Sequence, residues 1–414
     1  MERHRYGPLV ALHVCTRYQR GGSERRVQDS IRALPHLRHH LLVGADSDVE
    51  LARRQTAAER VDLLPTLVRR PDPVRDVATL IALRRRLRTD TYDVVVTHQS
   101  KAGVLGRAVT AAVGGPPVVH SLSMASFGPG YGRLQNWLFV RIERTLGVRT
   151  AAFCTVGADL AARFAEIGVP PDRLHVVRSG IPLPERVLTR SDARDRVDAR
   201  HGTTPGRPLI CYVGSLEPRK NPLLLAQLLR LLHDRMTDPP QLLVLGDGPE
   251  RARLVAELHA LRLSGSAVLA GYVEDASAVH EALRAADVTV LLSEAEGLPQ
   301  VLVQSAAVGT PFVAFDVEGV RELLKLGAEG SAVPLGRLDD AADAVTAWLS
   351  PGAVAIRQPV ADLSGWSPAV IEASYRAVVD AAMGAGRPGA TRYRPPVPRD
   401  HYAGGRGRVG AGQR

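Results

Sequence analysis

Short runs of β-branched and apolar residues alternate with helix-length amphipathic segments along nearly the whole of this 414-residue chain. That alternation is the signature of βαβ units, in which parallel strands are joined by crossover helices. Strand candidates in the first half are Leu9–Val14, Leu41–Val43, Val94–Thr97, Val118–Ser121, Ala152–Val156 and Leu174–Val177. In the second half they are Leu209–Val213, Leu242–Leu245, Ala267–Ala270, Val288–Leu292 and Phe312–Ala314, with helices such as Pro222–Leu232 and Pro249–Leu261 between them. The stretch IPLPERVLTRSDARDRVDARHGTTPGRP interrupts the alternation with polar residues and prolines, which puts a boundary near residues 182 to 206. Two α/β doubly wound sheets follow, and the length agrees, since single cores stop growing well below it. The predicted units are residues 1–185, residues 206–360, and a last helix over Ser367–Met383 with a Ser cap and Pro at its first position.

Charge matters here because +10 invites a nucleic-acid reading. Its distribution argues otherwise: from Gly384 onward the tail carries seven Arg and one Asp, so +6 lies in residues 384–414 and only +4 in the rest. That Gly/Pro/Arg tail is too poor in apolar residues to fold and reads as disordered. No nucleic-acid partner is expected. Cys15, Cys154 and Cys211 are few, odd in number and far apart, which argues against a disulfide framework and a clustered metal site and fits a reducing cytoplasm. No apolar run approaches the roughly 20 residues that span a bilayer, and the N-terminus lacks a signal-peptide pattern.

Ligands of open parallel sheets sit outside the carboxyl ends of the strands, so the loops leaving the strands carry the functional information. After the first strand, RGGSERRV offers Gly21 and Gly22 for close backbone approach at a helix start. VGSLEPRKNP places Gly214, Ser215, Arg219 and Lys220 where two cations beside a helix start suit a diphosphate. LGDGPERARL turns tightly at Gly246. SEAEGLPQVLVQSAAVGTPFVAF sets Glu296 in a loop closed by Gly297, Leu298 and Pro299, ahead of a helix whose small apolar residues imply burial nearly all round. A carboxylate on so rigid a loop can accept hydrogen bonds from vicinal hydroxyls in a set geometry. Asp46-Ser47-Asp48 reads as a cap and solvated turn. His98, in THQSKAG, reads equally as a cleft-lining or a satisfied histidine. Arg84, Arg85, Arg86 and Arg88 lie on a helix whose other face carries Val77, Leu80, Ile81 and Leu87, and FGPGYGRLQNWLFV brings aromatics that look exposed. Both can meet lipid, and both can be ordinary surface.

These motifs, with VVHSLS, LAGYVEDASAVHEALRAADVTVLL and EGVRELL, stand in one order that resembles the family 4 glycosyltransferases of the GT-B fold, from about Leu9 to Met383. The resemblance implies two Rossmann-like domains facing across a cleft, nucleotide sugar held mainly by the second, acceptor by the first, and a C-terminal helix that crosses back. It assigns Glu296 to the donor-sugar hydroxyls, Lys220 to the diphosphate and His120 to a strand end near the sugar. It puts Tyr272 and Val273 beside the base, and Glu322 after the loop under the diphosphate. Three positions depart from the pattern: Gln304 replaces a second glutamate, Ser215 an arginine, and Glu318 a glycine. The implied activity is transfer of a sugar from a nucleotide-diphosphate sugar, UDP-linked by preference, to an acceptor hydroxyl with retention. No metal or other cofactor is called for. The acceptor is a glycan, lipid-linked or small molecule, and a peripheral contact at the inner face of a membrane is compatible with it. The alternatives are a UDP-sugar epimerase or hydrolase on the same fold, or a weakened nucleotide-sugar-binding protein.

Overall fold

The computed structural model describes residues 8–19, 22–128, 131–350, 359 and 361–385. Among these, two sheets form, every strand pairing being parallel. The first contains β1 (Val10–Cys15), β2 (Arg38–Gly44), β3 (Arg60–Leu64), β4 (Val94–His98), β5 (Val118–Leu122), β6 (Ala152–Thr155) and β7 (Leu174–Val176), in the spatial order β3-β2-β1-β4-β5-β6-β7. The second contains β8 (Leu209–Val213), β9 (Gln241–Leu245), β10 (Ala267–Gly271), β11 (Val288–Leu291), β12 (Phe312–Phe315) and β13 (Gly330–Val333), ordered β10-β9-β8-β11-β12-β13. Each order reverses beside its first strand, so each sheet has a switch point at its carboxyl edge, where ligands of such sheets bind. Central strands β4 and β5 are buried at every residue. Helices cover both faces, which is why these strands read as apolar runs rather than alternating ones.

Two strands lay outside the sequence reading, and both are edge strands. RVDLL of β3 and GSAV of β13 have one buried residue each and are short or interrupted by charge, so neither carries a continuous apolar run. The polar stretch read as a boundary contains a helix, Arg190–His201. Thr189 caps it, its Oγ1 accepting from Asp192 N at 3.1 Å, and Gly202 ends it at φ 69°. Only Ala193 and Val197 of this helix are buried, too few to show a period. It packs on helix Ala276–Ala285, where Arg196 and Arg200 clasp Glu281 at 2.7 Å each. The Asp-Ser-Asp segment does cap: Asp48 Oδ1 accepts from Leu51 N at 2.8 Å.

The last helix, Pro368–Ala385, follows Ser367, whose Oγ accepts from Val370 N at 3.3 Å. It buries Ile371, Tyr375, Val378 and Val379 with Ala11, Val94, Val96 and Val119 of the first sheet. Tyr375 shares a 3.0 Å hydrogen bond with Ser121 Oγ, and the guanidinium of buried Arg26 lies 5.7 Å from its ring. The basic tail beyond Ala385 lies outside the described residues. No helix among the described residues is long and apolar enough to cross a membrane.

Candidate active site

Three loops at the carboxyl edge of the second sheet are knit together by glycine. A Cβ on Gly246 would stand 1.8 Å from the carbonyl oxygen of Gly214, and Gly246 N donates to Gly271 O at 2.7 Å. Any side chain at position 246 would therefore force the β8 and β9 loops apart. Beyond Gly271, Tyr272 is exposed and Val273 half-buried, which leaves an aromatic face free at the end of β10. Ser215 is exposed, and its carbonyl accepts from the buried Tyr212 hydroxyl at 3.0 Å.

The turn Pro218–Lys220 closes on Asn221, whose φ of 48° is the left-handed region that Asn tolerates. Asn221 Nδ2 donates to Leu292 O at 3.2 Å, which fastens this turn to the end of β11. Two charged motifs 76 residues apart thereby meet: Lys220 Nζ lies 2.8 Å from Glu296 Oε1. Arg219 Nη1 stands 3.4 Å from the same oxygen and also donates to Ala295 O. Burial alone would push the Glu296 carboxyl up, but the charges of Lys220 and Arg219 together hold it below its ordinary range. The result is an ionised carboxylate, 11% exposed, between two cations. Pro299 then starts helix Gln300–Ala307, in which Gln304 is half-buried beside Val301, Leu302, Val303, Ser305, Ala306 and Ala307, all buried.

Across the cleft, the two lobes touch backbone to backbone. A Cβ on Gly297 would lie 1.8 Å from Ser123 O, in the loop that leaves β5. Beside this contact each lobe caps a helix of the other. Glu322 Oε2 accepts from Ala158 N at 2.9 Å at the start of helix Ala158–Glu166, and its other oxygen meets Arg178 Nη1 at 2.5 Å. Asp159 Oδ2 of that same helix accepts from Gly319 N at 3.2 Å. The Glu322 carboxylate is thus taken up by the opposite lobe.

A cavity of about 220 Å³ lies between the lobes, lined by Phe127, Tyr131, Arg163, Arg219, Glu296 and Glu318, among others. Glu318 pairs with Arg163 Nε of the first lobe at 2.6 Å. Burial pushes its carboxyl up to about 7, Arg163 opposing and Asp159 adding to the rise. In the unfolded chain this proton leaves near 4.5, so between those values the folded state holds the extra proton and stability falls as pH rises. Between pH 5 and pH 8 the wild type is expected to lose on the order of 2 kcal/mol relative to Glu318→Gln, measured by urea unfolding at both values. A difference that stays constant across this range refutes the assignment.

A larger cavity, about 370 Å³, lies under the linker segment around Pro182–Leu188, away from Lys220 and Glu296. Two of its three lining arginines are engaged: Arg196 by Glu281, Arg284 by the carbonyls of Leu188 and Val308.

The placement of His120 corrects the sequence reading. It is the third of five residues in β5, not the last, and is fully buried. Its Nδ1 bonds Thr97 Oγ1 at 2.9 Å, and its ring fills the space beside Gly103, whose Cβ would stand 2.2 Å from the imidazole. Strand alternation turns it under helix Ser100–Ala112, and desolvation drives its pKa far down. It is a neutral core histidine that does not line the cleft. Gly22 begins helix Gly22–Arg32, while Gly21 lies outside the described residues.

The sequence profile of the glycosyl transferases group 1 matches residues 193–356, and that of the glycosyl transferase 4-like domain matches residues 21–180. Together they span both sheets apart from β1, and the loops just described. The chain is a family 4-like glycosyltransferase of the GT-B fold. Among its relatives, the UDP-Gal:alpha-D-GlcNAc-diphosphoundecaprenol alpha-1,3-galactosyltransferase of Escherichia coli is 27% identical over 68% of this chain and 72% of that protein. The GDP-mannose-dependent alpha-mannosyltransferase of Mycobacterium tuberculosis is 28% identical over 60% and 62%. Two solved structures share the fold: sucrose-phosphate synthase from Thermosynechococcus elongatus (TM-score 0.66, 18% identical, 91% and 96% covered), and Anabaena HepE in complex with UDP and glucose (TM-score 0.64, 16% identical, 89% and 94% covered).

In this glycosyltransferase the residues that sequence reasoning missed are those that act across the cleft, Asp159, Arg163 and Arg178. Asp159 and Arg163 sit on the ordinary-looking amphipathic helix Ala158–Glu166, and Arg178 in the loop after β7. The one available signal was the glutamate at position 318, which calls for a nearby cation once its glycine is lost.

Proposed function

We propose that this glycosyltransferase binds a nucleoside-diphosphate sugar, with UDP as the preferred nucleotide, and transfers the sugar to an acceptor hydroxyl with retention at the anomeric carbon. The observation that carries this reading is the 2.8 Å approach of Lys220 to Glu296 at the mouth of the second sheet. A diphosphate entering here meets Lys220 and Arg219, and its attached sugar meets Glu296. Gly214 and Gly246 let the backbone close on the phosphates, Tyr272 and Val273 border the base, and Gln304 accepts from a ribose hydroxyl. UDP in the HepE complex and the UDP-galactose donor of the Escherichia coli relative favour UDP, while the mannosyltransferase keeps GDP in the test panel.

Retention proceeds by same-face displacement. The bond from the anomeric carbon to the diphosphate oxygen breaks, its electron pair leaving with the diphosphate, as the acceptor oxygen bonds to that carbon. The acceptor proton passes to the departing phosphate oxygen. Developing negative charge is met by Lys220 and Arg219, donors already in place before reaction. Because these cations supply the charge, EDTA is expected to leave the rate unchanged, and a chelator-sensitive rate restored by Mg²⁺ refutes this part of the reading. The acceptor class is a glycan, with a lipid-linked saccharide as one form and a small polyol as the other.

The deciding experiment is a panel of UDP- and GDP-sugars, titrated calorimetrically and then assayed for transfer and for hydrolysis. Free sugar released at full rate without acceptor marks a hydrolase, and an isomerised nucleotide sugar an epimerase. Donor binding without turnover marks a binding protein. Any of these overturns the transferase reading.

A further inference from the structure

Large apolar side chains exposed on the surface concentrate on two helices of the first lobe. Val74, Val77 and Ile81 on helix Pro73–Thr89, and Leu134, Trp137 and Leu138 on helix Arg133–Gly147, are between 47% and 80% exposed. The spacing of 74, 77 and 81 forms one stripe, continued along the helix by exposed Arg84, Arg85 and Arg88. Positions 134, 137, 138 and 141 repeat the arrangement, with Arg133, Arg141 and Arg144 exposed around the apolar residues. This departs from the sequence reading, which set Val77 and Ile81 on the face opposite the arginines. Arg86 is the one that turns inward, pairing with Asp62 and donating to Tyr92 Oη at 2.9 Å.

The acids of these helices are drawn away from the exposed stripes. Asp76 pairs with Lys101 at 2.5 Å, and buried Glu143 pairs with buried Arg107 at 2.7 Å. Lys101 and Arg107 both belong to helix Ser100–Ala112, against which the two helices pack on either side. The stripes therefore present apolar groups and arginines with no carboxylate among them.

We propose that this surface docks on an anionic lipid bilayer. Apolar residues of this kind enter the acyl boundary, Trp137 is suited to the headgroup level, and the arginines reach anionic headgroups while their stems stay in the apolar layer. Each arginine adds attraction to a negatively charged leaflet, and none of it is cancelled by an acid on the same stripe. Helix Arg133–Gly147 begins two residues after Tyr131, which lines the cleft cavity. Docking thus brings the cleft mouth to the lipid surface. A lipid-linked acceptor arriving there rests on the function proposed above; the docking itself does not.

The test is sedimentation of the full-length protein with vesicles of phosphatidylcholine alone and of phosphatidylcholine with phosphatidylglycerol. The protein is expected to pellet with the anionic vesicles and to be released by salt. Ile81→Ser combined with Trp137→Ser, and separately Arg84→Glu combined with Arg88→Glu, are each expected to weaken partitioning at least about tenfold. All four positions are exposed, so unchanged melting temperatures confirm the fold. No binding to either vesicle overturns the proposal. So does binding that survives both variants, which would place the contact on the arginine-rich C-terminal residues. A dimer in light scattering that Trp137→Ser dissociates would assign the surface to a second copy of the chain and overturns it as well.

Discussion

Lys220→Ala is expected to lower kcat by about 10²–10³-fold, the usual loss when one preorganised donor to developing charge is removed. Arg219 cannot replace it, because Arg219 already donates to Ala295 O and stands further from Glu296. The substitution acts twice. It removes a cation from the leaving diphosphate, and it leaves Glu296 buried with a single weaker partner, so that burial lifts its carboxyl from the lowered range in which Lys220 holds it. Glu296→Ala removes the other half of the pair and should cost a similar factor. The double variant should lose far less than the product of the two, because each side chain works through the other. Steady-state kinetics at saturating donor read the effect, and circular dichroism separates it from misfolding, since both residues sit in loops. Full activity in either single variant removes the site from these residues.

Gly297→Ala should reduce kcat by roughly 10²-fold, the scale set by about 1 Å of misplacement between reacting groups. The added methyl would stand 1.8 Å from Ser123 O, and neither partner is a side chain that can swing away. The lobes must separate to admit it. On the proposed reading the donor is held mainly by the second lobe, so its Kd should change little while turnover collapses. That split distinguishes lobe spacing from a damaged donor pocket. Gly265→Ala is the control, since a Cβ there meets nothing within 4 Å. Wild-type kcat in Gly297→Ala would mean that the backbone contact at Ser123 plays no part in the reaction.

The two-sheet architecture was legible because the central strands are buried on both faces and announce themselves as apolar runs. β3 and β13 were illegible for the converse reason: RVDLL and GSAV bury one residue each and show no apolar run. Helix Arg190–His201 was hidden because only Ala193 and Val197 are buried, and two positions show no period. In the site, glycines and paired cations mark loops, and the structure brings Lys220 to Glu296 from motifs far apart in the chain. His120 misled because burial and strand phase decide where a side chain points, and β5 runs two residues past it. Val77 and Ile81 misled because apolar residues on a helix read as packed on the sheet, whereas these two face outward. Arg163 with Glu318 and Asp159 with Gly319 were out of reach, since each pairing exists only once two separately folded lobes meet.

The reciprocal capping by Glu322 and Asp159 makes closure a handshake rather than a clamp. Parting the lobes strands an amide on each side at once, and a helix end in each lobe then frays together with its counterpart. Each bond spans the two lobes, so each adds to the cost of parting them.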